Sequence, residues 1–105
     1  MGTLPDGIVT FLFTDVEGST AMWEASPDSM MQALNQHDAV IEQAAEGNGG
    51  ISVKPRGEGD SRFVVFPIAT DAVAAVVAMQ RGMAAIHWST PRPLLVRMAL
   101  HTGQC

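Results

Sequence analysis

The stretch Val9-Thr-Phe-Leu-Phe-Thr-Asp15-Val-Glu-Gly-Ser-Thr20 constrains this chain more than any other. Its opening is dominated by β-branched and aromatic residues, which favour an extended strand. Both faces of the expected strand, Ile8–Thr14, carry apolar side chains: Val9, Phe11 and Phe13 on one, Ile8 and Leu12 on the other. A strand buried on both sides is usually central in its sheet. The strand runs into Asp15, Glu17 and Gly18, and Ser19-Thr20 can open a helix. It therefore delivers a carboxylate to the mouth of a helix, where outward-pointing N–H groups commonly hold phosphates. A carboxylate and a phosphate at one point repel each other. A divalent cation between them removes the conflict, and Mg²⁺ is typically held by one or two carboxylates plus substrate phosphates. The pattern suits a metal–nucleotide site around Asp15. It equally suits an Asp15 that caps the helix or closes an Asx turn, with Glu17 an ordinary first-turn acid.

The rest of the chain alternates in the same way. Pro5-Asp6-Gly7 signals a turn. Ser19–Ala25 is a short helix anchored by Met22 and Trp23. Ser26-Pro27-Asp28 restarts a helix, with Ser at the N-cap, Pro at the first position and an acid in the first turn. Met30, Leu34, His37, Ile41 and Ala44 then fall on one helical face, and Gly47-Asn-Gly-Gly50 ends it. His37 has no second His or Cys at a metal-ligand spacing, so it is expected at the edge of the core. Ile51–Arg56 and Arg62–Phe66 are two short strands around the hairpin turn Gly57-Glu58-Gly59-Asp60. Ala69–Ile86 is a second long helix with Thr70 as its cap. Its middle, Ala72–Met79, is apolar nearly all round and should be deeply packed, and Arg81-Gly82 interrupts it. Leu94–Leu100 is the last strand.

This order, strand–helix–strand–strand–helix–strand, is that of an α+β, ferredoxin-like βαββαβ core: an antiparallel sheet with its helices on one face. In that topology the end of the first strand lies beside the start of the third. Asp15 and Asp60, 45 residues apart, are thereby brought together. Two acids converging near a helix N-terminus can hold divalent ions that orient a triphosphate, absorb charge on a leaving pyrophosphate and lower the pKa of an attacking hydroxyl. The chemistry implied is nucleotidyl transfer.

Composition narrows the partners. The 105 residues are 47% hydrophobic, enough for one domain with a real core. A net charge of −5, with only six Lys and Arg, argues against nucleic acid or an anionic membrane surface. The single cysteine, Cys105, leaves no internal disulfide and suits a reducing, cytoplasmic setting. No leader pattern opens the chain, and the most apolar run is too short to span a bilayer.

Phe13-Thr-Asp15-Val-Glu-Gly-Ser-Thr20 and Gly57-Glu-Gly-Asp60 resemble the two metal-aspartate motifs of class III adenylyl/guanylyl cyclases, and Val96-Arg-Met-Ala-Leu-His-Thr-Gly103 looks like that family's next core strand. The resemblance runs from about Thr10 to Gly103 and is closest to the bacterial, especially mycobacterial, branch. It implies that Asp15 and Asp60 hold two Mg²⁺ or Mn²⁺ ions, with the Val16 carbonyl as a further ligand. It implies that backbone groups of Glu17, Gly18, Ser19 and Thr20 line the triphosphate of ATP, which is cyclised to 3′,5′-cyclic AMP with release of pyrophosphate. The family's base-reading lysine lies four residues before the second aspartate, where this chain has Arg56. Lys54 stands on the same strand face. An Arg is not an equivalent purine reader, so ATP over GTP is an expectation of the family, and both residues are also consistent with solvated strand positions. Family catalytic domains continue further and work as homodimers or heterodimers. Residues 1–105 would then be a catalytic domain incomplete at its C-terminal end, inactive or nearly so alone. Two other readings remain: a degenerate cyclase-like module that binds nucleotide or a partner without turnover, and a domain that self-associates through Phe11, Phe13, Phe63 and Val65 on an open sheet face.

Overall fold

The computed structural model describes residues 7–53 and 61–104. Lys54, Arg56, the hairpin turn Gly57–Asp60 and the leader turn at Pro5-Asp6 lie outside the described residues. Seven elements follow in order: β1 (Ile8–Val16), α1 (Ser19–Ala25), α2 (Pro27–Gly47), β2 (Ile51–Val53), β3 (Arg62–Phe66), α3 (Ala69–Ala84) and β4 (Val96–Gln104). The sheet order is β2-β3-β1-β4, antiparallel throughout. This is the expected ferredoxin-like arrangement, with β1 in the interior of the sheet.

The two faces of β1 differ more than its sequence suggested. Thr10, Leu12, Thr14 and Val16 turn toward the helices and are all buried. Leu12 joins Val64 and Phe66 of β3 against Ile41 and Ala45 of α2 and Ala72, Ala75 and Met79 of α3. On the other face Phe11 and Phe13 stack with Phe63, with ring centroids 5.6 and 4.6 Å apart, and Phe13 remains 55% exposed. Val65 on that face is only 2% exposed, so the expected open patch reduces to the three aromatics. A second cluster, Val16, Met22, Met30, Ala33 and Leu94, packs α1 and the start of α2 beneath the end of β1.

Several expectations shift. β1 runs two residues beyond Thr14, and β4 runs from Val96 to Gln104 instead of Leu94–Leu100, because the two strands pair along their whole length from Ile8↔Gln104 to Val16↔Val96. Leu94 packs in the second cluster instead. α2 begins after Ser26 with Pro27 at its first position, as expected, but Ser26 makes no side-chain cap bond. Its buried face is Met30, Ala33, His37, Ile41 and Ala45. The N-cap of α3 is Ile68 rather than Thr70, which lies inside the first turn. α3 is also not buried all round: Ala72, Ala75, Met79 and Met83 face the core, while Val73 and Val77 are exposed. Helices on one face of a sheet have a solvent side, and local composition does not reveal it. Gly82 does not interrupt α3; a Cβ there would meet Val40 Cγ1 at 2.8 Å, so its bareness lets α2 and α3 approach.

Candidate active site

Asp15 is the penultimate residue of β1 and lies on the open sheet face. The strand continues through Val16, whose side chain is buried, leaving only its backbone to the site side. Glu17 turns the chain, and its amide donates to the Leu95 carbonyl at 2.8 Å. That bond ties the end of β1 to the approach to β4. Gly18 follows with φ +69, a left-handed conformation that favours glycine, and is the N-cap of α1. No side chain caps α1, so Asp15 is not spent as a helix cap. Ser19 and Thr20 open the helix, and first-turn amides have no partner within it.

The register brings the start of β3 to this point. Thr14 pairs with Arg62, the last rung of the β1–β3 ladder, so Ser61 stands beside Asp15. Both line one cavity of about 300 Å³ with Phe13, Thr14, Arg97, Met98 and Ala99. Asp60 immediately precedes Ser61 in the sequence.

Arg97 was read from the sequence only as part of a strand. On β4 it lies directly across from Asp15. Its guanidinium takes both carboxylate oxygens, Nε to Oδ1 at 2.8 Å and Nη2 to Oδ2 at 2.7 Å. This bidentate geometry is the strong form of a charge-assisted hydrogen bond. The Arg97 hydrogen bonds hold the Asp15 carboxyl below the usual carboxylate range, against a small opposing effect of burial, and the guanidinium charge adds to the lowering. Asp15 is thus an ionised, partly open carboxylate that already carries a cation on both oxygens. A hard divalent ion needs that donor chemistry, so the residue fits one. Among the described residues no group of three His, Cys, Asp or Glu gathers as a metal site, around Asp15 or elsewhere. His37 is fully buried on α2 and hydrogen-bonds Asp38 at 2.9 Å, as expected of a structural histidine.

Comparison with known proteins identifies the family. Residues 4–105 match the adenylate and guanylate cyclase catalytic domain. The chain belongs to that family. An uncharacterised protein of Mycobacterium tuberculosis is 37% identical over 100 residues, covering 95% of this chain and 33% of its own length. An adenylate cyclase of Podospora anserina is 34% identical over 119 residues, covering 95% of this chain and 6% of its own. Among solved structures, an adenylate cyclase from Trypanosoma brucei in its monomeric state superposes with a TM-score of 0.86 at 26% identity, covering 99% of this chain and 60% of that one. An adenylyl cyclase from P. aeruginosa does so with a TM-score of 0.78 at 28% identity, covering 96% and 58%. The cyclase-family chain therefore spans about a third of its mycobacterial relative and under two thirds of the solved catalytic domains.

Proposed function

We propose that this chain is the metal-bearing part of an adenylyl cyclase catalytic domain, which converts ATP to 3′,5′-cyclic AMP and pyrophosphate. One observation carries the reading. Asp15 and the residue that follows Asp60 in the sequence line a single cavity, where the Asp15 side chain is 42% exposed. Two relatives of this family bear the name adenylate or adenylyl cyclase, which supports ATP as the substrate.

In this reading Asp15, Asp60 and the Val16 carbonyl hold two Mg²⁺ or Mn²⁺ ions. Bound there, such ions absorb charge on the departing pyrophosphate and favour ionisation of the 3′-hydroxyl. The left-handed turn at Gly18 and the amides of Ser19 and Thr20 face the triphosphate. Arg56 and Lys54 are the candidates for contact with the base. Because the chain covers about 60% of the solved domains, the remaining transition-state groups would come from further chain and from a second subunit, in a homodimer or a cyclase-type heterodimer. Among the described residues no helix is long and apolar enough to cross a membrane.

The test is Mn²⁺-dependent conversion of ATP to cyclic AMP, by this chain and by a longer form that reaches the length of the solved domains. The longer form is expected to turn over. This chain alone should be slower by about a hundredfold or more, since each missing electrostatic partner typically costs that much. Asp15→Ala and Asp60→Ala should each abolish turnover in the longer form. The bidentate hold of Arg97 on Asp15 favours one competing reading, a degenerate module that binds without turnover. An inactive longer form that still binds Mn²⁺–ATP would establish that reading instead.

A further inference from the structure

Outside the candidate site, a polar cluster of the described residues lies on the helix side of the sheet. Arg62, the first residue of β3, is 7% exposed. Its guanidinium pairs with Glu42 and with Asp38 Oδ1 at 3.2 Å, both on α2, and donates to Ser52 Oγ of β2 at 3.0 Å. Ser52 Oγ in turn donates to Glu42 Oε1 at 3.1 Å, and Asp38 also holds His37. One planar side chain thus joins three elements. Stability alone is a poor account of it. Burying the Arg62 guanidinium costs desolvation while Asp38 and Glu42 stay 48% and 32% exposed, and an apolar residue of similar volume often replaces a buried charge without loss.

The position of Arg62 suggests what the clamp does. Its backbone pairs with Thr14, the neighbour of Asp15, while the preceding residue, Ser61, reaches the Asp15 cavity on the opposite face. Arg62 is also the first residue of β3 and the last described rung of its ladder with β1. Strand ends fray where nothing else holds them, and the side-chain clamp ties this one to α2 and β2.

We infer that Arg62 is a positioning residue: its guanidinium fork on Asp38, Glu42 and Ser52 fixes the start of β3, and so the place of Ser61 beside Asp15. The inference rests on the proposed metal role of Asp15 and Asp60. Lysine at this position would keep the charge but lose the planar fork that reaches partners on two elements.

Mn²⁺ binding to the chain, followed by the electron paramagnetic resonance of the free ion, tests this at a temperature where circular dichroism shows every variant folded. Arg62→Lys is expected to weaken Mn²⁺ binding about tenfold, the usual lower range for losing a group that orients metal ligands. Glu42→Gln, on a different element, should reproduce the loss and carries the test if the lysine variant does not fold. Ile41→Val, a core change away from the clamp, should lower the melting temperature and leave Mn²⁺ affinity as it was. Lowered melting temperatures with unchanged affinity in both clamp variants would make the clamp merely structural and overturn the inference. Wild-type chain that binds no Mn²⁺, or binding that Asp15→Ala leaves intact, would instead overturn the metal reading and the inference with it.

Discussion

At the scale of single residues, Asp15 has two claimants. Arg97 donates to both of its oxygens, and the proposed divalent ion would sit on the same carboxylate. The two positive charges oppose each other there, so the ion binds against the charge of Arg97. The pair is open to solvent, with the Arg97 side chain 63% and the Asp15 side chain 42% exposed. Exposed ion pairs are typically worth about 0.2–1 kcal/mol. Arg97→Gln should therefore tighten Mn²⁺ binding by only a few-fold in a calorimetric titration. Arg97→Lys, which keeps the charge without the fork, should fall between. Weaker binding in the glutamine variant would mean that Arg97 supports the ion. The acid was legible in the sequence, because strand propensity ends there and a helix begins. Its partner was not. Nothing local marks Arg97, and only the β1–β4 register places it across from Asp15. Arg62 was hidden for a similar reason: its parity faces it toward α2, where Asp38 and Glu42 happen to wait.

At the scale of elements, the sequence predicted order and kind well, because each segment carries its own periodicity and punctuation. It misjudged the ends of strands and the sidedness of α3, which depend on what lies opposite. Glycines show the same division. Gly49, with φ +75 just past the end of α2, is an ordinary helix-stop signal. Gly50 looks like part of the same run, yet its reason is space: a Cβ there would meet Phe66 ring atoms at 2.6 and 2.8 Å and Val64 Cγ1 at 2.9 Å. Both neighbours are fully buried and belong to the main core cluster, so neither can yield cheaply. Gly50→Ala should destabilise the chain by about 1–3 kcal/mol, the usual cost of overpacking a core. Urea unfolding should show this as a lower midpoint at unchanged slope. A midpoint equal to wild type would mean that the α2–β2 connection shifts to admit the methyl group.

At the scale of the whole molecule, one side of the sheet is covered by α2 and α3, and among the described residues no helix covers the other. The order of elements already implied this, since a ferredoxin-like core places its helices on one face. What the order could not show is which apolar residues would be left facing out. The answer lies in the pairing. Phe11, Phe13 and Phe63 meet across β1 and β3 as one aromatic group, and Phe13 keeps more than half its surface exposed. β4 forms an outer edge of the sheet among the described residues. Apolar surface next to a candidate site, together with an outer strand, is the usual mark of a face made to be covered. In the proposed reading that cover would be a second subunit. The chain should accordingly self-associate at high concentration, and sedimentation equilibrium should detect it. Phe13→Ser removes the most exposed ring of the group. Aromatic residues are enriched among those that dominate interface energies, so this substitution should weaken association at least tenfold. The exposed Val73→Ser on the helix side should not. If Val73→Ser weakens association and Phe13→Ser does not, α3 is the contact surface and the aromatic face serves another neighbour.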